Sequence, residues 1–279
     1  VTGQPNAMGG REVGGMANML ADHMEIENPE HRDRVRRFWN APDIAQKPGL
    51  KAVEMFQGVA DGRIKALWIM ATNPVDSMPD ADAVEAAIKA CPFVVISDVL
   101  ASTDTVRHAH VRLPAAAWGE KDGTVTNSER RVSRQRPFLP APGEAMADWK
   151  ILALFAQRMG FTGFDFAGAH SVFDEHARLS GFRNSAADVP RAFDMSGLAQ
   201  LTQRGYDDLE PVQWPVRRGA AGALEVEERL FADKRFAHAD GKARFVATAP
   251  RAPVNAISED FPLALNTGRV RDQWHTMTR

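Results

Sequence analysis

The sequence is poor in cysteine, has no long apolar run and has no excess of charge of either sign. Its 279 residues contain one cysteine, Cys91, which excludes an internal disulfide framework and a cysteine metal cluster within these residues. The 34 basic and 36 acidic residues leave a formal net charge of -2, without the basic stripe that nucleic-acid binding needs. No apolar run approaches the ~20 residues of a membrane-spanning helix. We therefore predict a soluble chain that binds neither nucleic acid nor membrane.

The sequence also lacks the residue patterns that carry out common reactions without a cofactor. Its histidines give no helical pair at metal-binding spacing with a carboxylate, and we predict surface positions for His108, His110, His170 and His176. There is no serine on a glycine elbow and no Cys/His pair that predicts a nucleophile. We therefore assign no metal ligand, and we expect a bound cofactor to carry the chemistry.

Both ends of the sequence lie inside dense polar motifs. Residues 2–15 (TGQPNAMGGREVGG) and residues 263–279 (LALNTGRVRDQWHTMTR) combine glycines with amide, arginine and other polar side chains. A natural N-terminus usually starts with methionine, a targeting segment or a capped first element. We therefore expect the chain to be part of a longer protein.

The middle of the sequence alternates between helical and strand periodicity. Residues 50–60 and 81–90 have helical spacing, residues 65–71 and 93–97 are continuous apolar runs, and residues 110–114 are a further short strand candidate. Continuous apolar runs of this length are typical of parallel strands covered on both faces. The pattern predicts an α/β fold.

Two further helices are predicted on either side of this region. Asn28 and Pro29 are typical of a helix start, and a charged surface helix follows them to Trp39. In residues 145–159, large apolar side chains including Leu152 and Phe155 recur on one helical face, and we expect that face to pack inward.

Polar residues follow both apolar strands. Asn73 comes after the first strand, and Ser97 and Asp98 end the second. The carboxyl edge of an open α/β sheet is where ligands bind, so these residues favour a nucleotide-like ligand. The alternative is that Asn73 and Asp98 only cap the turns that follow.

The loop at residues 118–131 (WGEKDGTVTNSERR) offers groups suited to a phosphate. Lys121, Asn127, Arg130 and Arg131 stand between glycine turns, although the Walker spacing is absent. The alternative is a solvated loop.

Together these segments resemble the molybdopterin oxidoreductases of the dimethyl sulfoxide reductase superfamily, most closely bacterial assimilatory nitrate reductases. The resemblance covers nearly the whole chain and is weakest between residues 161 and 222. The motifs that carry it are residues 2–15, 72–74 (TNP), 97–98 (SD), 113–131 (LPAAAWGEKDGTVTNSERR), 142–144 (PGE) with Asp148, and 266–278 (NTGRVRDQWHTMT).

The resemblance implies a molybdenum ion held by two molybdopterin guanine dinucleotides, with a [4Fe-4S] cluster nearby. It implies that Asn73, Ser97, Asp98, Lys121 and Asp148 line one guanine dinucleotide. The remaining expected cofactor contacts are Gln4 near the pterin or molybdenum, and Thr267, Gly268, Arg269, Trp274 and His275 in the last motif.

Arg11 is the candidate residue for binding the substrate. Nitrate is a small anion, and a guanidinium binds such an anion in planar, bidentate geometry. The alternative is that Arg11 is a buried structural partner of Glu12 or of loop carbonyls.

The family's cluster cysteines and its protein ligand to molybdenum lie upstream in the chain order and are absent from this sequence. Cys91 matches neither of them. We therefore expect this piece to be inactive alone, although the parent enzyme is expected to be active.

The resemblance predicts a three-layer α/β/α domain with a mainly parallel, Rossmann-like sheet and the start of a C-terminal β-barrel domain. The predicted boundaries are 1–48 for the end of a first cofactor domain, 49–160 for a dinucleotide-binding domain, 161–254 for an irregular connection and 255–279 for the C-terminal domain.

The implied function is reduction of nitrate to nitrite in the cytoplasm, with electrons from a donor protein or reductase subunit. Two alternatives remain. In the first, the parent protein is a formate dehydrogenase-like member of the superfamily. In the second, it is a non-catalytic subunit that keeps the fold as a scaffold.

Overall fold

The computed structural model describes residues 6–185, 188, 191–236, 238 and 240–265. The helices are α1 (Ala7–Glu12), α2 (Pro29–Trp39), α3 (Ala52–Ala60), α4 (Pro74–Ser77), α5 (Ala81–Ala90), α6 (Asp148–Arg158), α7 (Ala169–Gly181) and α8 (Gln203–Asp207). The strands are β1 (Ala66–Met70), β2 (Phe93–Asp98), β3 (Val111–Pro114), β4 (Gly123–Thr126), β5 (Arg131–Gln135), β6 (Val212–Gln213), β7 (Val216–Arg218) and β8 (Leu224–Val226). Short 3-10 turns cover Val106–His108, Trp118–Glu120 and Ser196–Leu198.

Strands β1, β2 and β3 form a parallel sheet in that order. The register pairs Leu67 with Val94 and Ile96 with Arg112. β1 and β2 lie within the apolar runs identified in the sequence or within one residue of them, and β3 lies within the short strand candidate at 110–114. The prediction of an α/β fold with a parallel sheet is therefore confirmed.

Helices α3 and α5 pack on one face of this sheet, where the largest apolar core lies. Ile88 of α5 is completely buried there. The strand residues in the same core are Leu67, Ile69, Val94 and Ile96. Their alternate spacing follows from the period of two along a strand, which directs every second side chain to the same face.

The opposite face of the sheet carries Trp68 and meets helix α6. The Trp68 ring contacts the Phe155 ring edge-on, with the ring centroids 5.0 Å apart. The Trp68 indole N–H also donates a hydrogen bond to Oγ of Ser97, at 2.9 Å. Helix α6 therefore packs on the face of the sheet opposite α3 and α5.

The prediction that the large apolar side chains of α6 pack inward is only partly correct, because Phe155 contacts Trp68 but most of this stripe is exposed. Leu152, Phe155 and Met159 are 44%, 51% and 60% exposed. The buried residues of α6 are Ile151, Ala153 and Ala156. The spacing of large side chains identified an apolar stripe, but the helix packs through a neighbouring stripe whose small alanines allow close approach.

A second core joins the antiparallel sheet β4–β5–β6 to residues on both sides of it in the chain. Val132 of β5 is buried with Phe173 of α7, Tyr206 of α8 and Trp214. Met8 of α1 packs against the same core. The segment predicted as an irregular connection thus contributes Phe173, Tyr206 and Trp214 to a core that it shares with α1.

Helix α2 begins as predicted. The side chain of Asn28 accepts hydrogen bonds from the backbone N–H groups of Glu30 and His31, at 2.9 and 3.4 Å. Pro29 is the first helical residue, where its missing N–H has no helical partner to lose. Val35 of this helix is completely buried in a third small core.

The C-terminal segment carries no regular element in its described part. Residues 255–265 contain neither helix nor strand, and residues 266–279 lie outside the described residues. The predicted domain boundaries and the C-terminal barrel stay predictions. Among the described residues, no helix combines the length and apolar character required to cross a bilayer.

We expect Ile88→Ala to lower the free energy of unfolding by about 2–5 kcal/mol, because it removes buried methylene groups and leaves a cavity. Ile257→Ala is the matched control, since Ile257 is 64% exposed. Urea unfolding of both variants gives the comparison. Equal losses in the two variants would show that Ile88 does not belong to a cooperative core.

Candidate functional site

A pocket of about 280 Å³ opens at the carboxyl ends of β1 and β2. Its lining includes Asn73 after β1, Asp98 at the end of β2, Lys121 before β4 and Asp148 at the start of α6. Four predicted site residues from separate parts of the sequence are therefore brought together. The pocket lies at the edge of the sheet where ligands of open α/β folds bind.

Asn73 is held by hydrogen bonds from Thr105. Its Oδ1 accepts hydrogen bonds from the backbone N–H and the hydroxyl of Thr105, at 3.2 and 2.6 Å. Asn73 occupies the N-cap position of α4, but its side chain makes no capping hydrogen bond. Since Oδ1 is already used, the amide NH₂ is the group that Asn73 offers to a ligand.

Asp98 has two roles in the structure. Its Oδ1 accepts a hydrogen bond from the backbone N–H of Leu100, at 3.0 Å, so the carboxylate does cap the turn that follows β2. The same side chain lines the pocket. A carboxylate has a second oxygen with its own acceptor sites, so turn capping leaves Asp98 able to accept from a ligand.

Lys121 and Asp148 form an ion pair at the pocket. The Lys121 ammonium donates to Oδ2 of Asp148 at 2.9 Å, and their side chains are 26% and 29% exposed. Oδ1 of Asp148 is buried and has no hydrogen-bond partner among the described residues. A buried acceptor without a partner carries a desolvation cost, which a ligand with N–H donors would remove.

The other predicted cofactor residues are placed differently. Ser97 is completely buried, and its hydroxyl accepts from Trp68 rather than lining the pocket. Its cofactor role stays a prediction. The remaining predicted residues lie outside the described residues: Gln4, Thr267, Gly268, Arg269, Trp274 and His275.

Arg11 is not in this pocket. It lies in the last turn of α1 and is exposed, and its side chain makes no hydrogen bond or ion pair with any of the described residues. The carboxylate of its neighbour Glu12 is instead bound by the Thr126 hydroxyl and the Trp214 indole N–H, each at 2.7 Å. Arg11 is therefore not the buried partner of Glu12.

A buried group of acids and histidines lies behind α1 and has no signal in the sequence. Asp22 is completely buried, with Oδ1 3.4 Å from Nδ1 of His176. Asp22 and His23 both adopt positive φ angles, 59° and 57°, which turn the chain sharply at this point. Aspartate and histidine are among the residues that adopt this conformation most readily, but no spacing rule connects residue 22 to residue 176.

Burial sets the protonation of this group. The pKa of Asp22 is raised well above its ordinary value, first by burial and then by the negative charges of Asp194 and Glu12. The pKa of Glu12 is also raised by burial, against the effect of its hydrogen bonds. Burial lowers the pKa of His176 to about 4, so this imidazole is neutral at pH 7.

The predicted surface positions of the histidines are only partly correct. His110 is exposed, whereas the side chains of His108 and His176 are only 12% and 16% exposed. His108 is held by Glu85 at 2.9 Å. Single histidines carry too little pattern to show burial in a sequence. Within the described ranges, no group of three or more His, Cys, Asp or Glu residues is arranged to hold a metal ion.

The raised pKa of Asp22 predicts a specific pH dependence of stability. The folded state binds this proton more tightly than the unfolded state, so the stability that Asp22 contributes is lost as pH rises from 3.8 through the raised pKa. We therefore expect the melting temperature of Asp22→Asn, relative to the wild type, to be higher at pH 8 than at pH 5. The control is Asp43→Asn, since Asp43 is exposed. A difference that does not change with pH would contradict the buried placement of Asp22.

Residues 5–158 match the sequence pattern of the molybdopterin oxidoreductase family. The whole chain is 56% identical to a nitrate reductase of Klebsiella oxytoca and covers 31% of it. Over 99% of its length the chain is 34% identical to the assimilatory nitrate reductase catalytic subunit of Bacillus subtilis, covering 37% of that protein.

A formate dehydrogenase alpha subunit of Methanococcus maripaludis is 31% identical over 99% of the chain, which covers 38% of it. The chain thus spans about a third of the length of these relatives. The family match extends over more than half of the chain and includes the sheet and the pocket residues. The chain belongs to the molybdopterin oxidoreductase family.

Proposed function

We propose that this chain is part of the catalytic subunit of a molybdenum-dependent nitrate reductase that reduces nitrate to nitrite. The pocket at the carboxyl edge of the sheet, with its unpartnered Asp148 oxygen, is the observation that carries the cofactor-binding part of the proposal. The 56% identity to a nitrate reductase along the whole chain supports nitrate as the substrate.

The donors and acceptors of the pocket fit a guanine dinucleotide. The base edge of guanine presents an NH₂ donor together with acceptor atoms. Asp98 and Asp148 offer carboxylate oxygens to donors, and the amide NH₂ of Asn73 can meet an acceptor. Lys121 supplies a positive charge at the same place, which suits the negative charge of a dinucleotide.

In the bound state, a bis(molybdopterin guanine dinucleotide) molybdenum centre supplies the two-electron oxygen-atom transfer. This chain binds and orients one guanine dinucleotide through the pocket residues. By resemblance, Ser97 and Gln4 and the last motif of the chain make further contacts to the cofactor. The [4Fe-4S] cluster belongs to the parent enzyme, because this sequence has no set of cysteines to hold it.

Arg11 is proposed to bind and orient nitrate. Its guanidinium is exposed and has no partner among the residues described, so it is free to bind an anion. A guanidinium matches a planar oxyanion with two parallel hydrogen bonds and offsets its negative charge. These contacts hold the nitrate in one orientation, which is the part of catalysis that positioning supplies.

The same proposal includes the features that rest on the resemblance alone. They are the three-layer arrangement of the domain, the C-terminal barrel, the four domain boundaries, a cytoplasmic location and electron supply by a donor protein. The formate dehydrogenase relative, at 31% identity, makes formate oxidation the second candidate function. An assay of the full-length holoenzyme with nitrate and with formate distinguishes the two.

We expect Arg11→Lys to lower kcat/KM for nitrate by roughly 10- to 100-fold, because the charge remains but the bidentate geometry is lost. The molybdenum content of the full-length enzyme should stay unchanged. Arg204→Lys is the control, because the side chain of Arg204 is 92% exposed. A parallel loss of molybdenum would assign Arg11 to the fold or the cofactor instead.

Asp148→Asn should weaken retention of the cofactor roughly tenfold, because the amide has one acceptor oxygen where the carboxylate has two. The measurement is the guanine and molybdenum released per chain when the purified full-length enzyme is denatured. Asp165→Asn makes the same chemical change at an exposed position outside the pocket. Full cofactor content in Asp148→Asn would argue against a guanine site in this pocket.

A further inference from the structure

Helix α1 carries Arg11, but it is too short and too rich in glycine to hold its position alone. It has six residues, AMGGRE, with Gly9 and Gly10 in its interior. Helices shorter than about 12–15 residues are marginal in isolation, and interior glycine weakens a helix further. The position of Arg11 therefore depends on contacts that α1 makes with other parts of the chain.

Both ends of α1 bind one residue, Thr126, at the end of β4. The backbone N–H of Thr126 donates to Oδ1 of Asn6, the N-cap residue of α1, at 2.9 Å. The Thr126 hydroxyl donates to Oε2 of Glu12, the last residue of α1, at 2.7 Å. Thr126 is 3% exposed, so water does not compete for these bonds. One residue of a paired strand thus fixes both ends of the helix.

Glu12 completes this arrangement from the buried side of α1. It is 3% exposed, its Oε1 accepts from the Trp214 indole at 2.7 Å, and its backbone oxygen accepts from the N–H of Asp22, also at 2.7 Å. Successive residues of a helix point about 100° apart. With Glu12 anchored in the core, its neighbour Arg11 is exposed.

We propose that Thr126 is a positioning residue for Arg11. Its two hydrogen bonds hold α1 in one place, and the guanidinium is thereby presented in a fixed orientation to the substrate anion. This inference rests on the proposed role of Arg11 in binding nitrate. Thr126 does not touch the substrate in this account. It acts through Asn6 and Glu12.

Thr126→Val tests the hydroxyl without changing the shape of the side chain or the backbone bond to Asn6. In the full-length holoenzyme we expect the KM for nitrate to rise roughly tenfold, because a buried carboxylate oxygen of Glu12 loses its donor and α1 shifts. The molybdenum content and kcat should stay near those of the wild type. Thr126→Ser keeps the hydroxyl and should restore the wild-type KM.

Hydrogen–deuterium exchange of the same holoenzyme gives a readout that does not depend on turnover. We expect faster exchange at residues 7–15 in Thr126→Val, and unchanged exchange in helix α5. Arg11→Lys provides the coupling test. If Thr126 acts through Arg11, Thr126→Val should raise the KM much less in the Arg11→Lys background than in the wild type.

The outcomes separate this proposal from the proposed function. Unchanged exchange at residues 7–15 would overturn it, because Thr126 would then not fix α1. Faster exchange in Thr126→Val with an unchanged KM for nitrate would also overturn it. So would an equal rise in KM from Thr126→Val in the wild type and in an Arg11→Lys background that itself impairs nitrate binding. If Arg11→Lys itself leaves kcat/KM for nitrate unchanged, the proposed role of Arg11 fails. The proposed role of Thr126 in positioning Arg11 for nitrate is then rejected as well. Hydrogen–deuterium exchange at residues 7–15 still shows whether Thr126 holds α1 in place.

Discussion

The parallel pairing of β1 and β2 is the constraint on which the candidate pocket depends. It places the carboxyl ends of both strands at the same edge of the sheet, so Asn73 and Asp98 line one pocket although 24 intervening residues separate them. The buried face under α3 and α5 fixes the register, because a slip of one residue would exchange the buried and exposed side chains. Packing of this apolar face thus determines where the polar groups meet.

A second set of long-range contacts determines where Arg11 lies. The hydrogen bond between Glu12 and Trp214 joins residues that are 202 positions apart, and Thr126 joins the same glutamate to β4. These bonds satisfy a carboxylate whose burial alone would be unfavourable. The weak helix α1 is therefore placed by polar contacts inside the second core, whereas the pocket is placed by the packing of the parallel sheet.

The sequence predicted the parts of the fold that depend on local patterns. The apolar runs of β1 and β2 and the Asn28–Pro29 start of α2 were visible because periodicity and capping act within a few residues. The buried face of α6 was not predicted correctly, because the spacing of apolar residues does not show which side of a helix packs against the rest of the protein. The strand-end position of Asp98 and the resemblance together predicted the pocket residues. The placement of Asp22 beside His176 had no sequence signal, since tertiary packing alone connects them.

We propose above all that the pocket lined by Asn73, Asp98, Lys121 and Asp148 binds the guanine end of a dinucleotide cofactor. The most direct test is an experimental structure of the full-length enzyme isolated with its cofactor. The account predicts a guanine base in this pocket, with an N–H donor within hydrogen-bond distance of Oδ1 of Asp148. A guanine bound elsewhere, with Asp148 paired only to Lys121, would contradict the account.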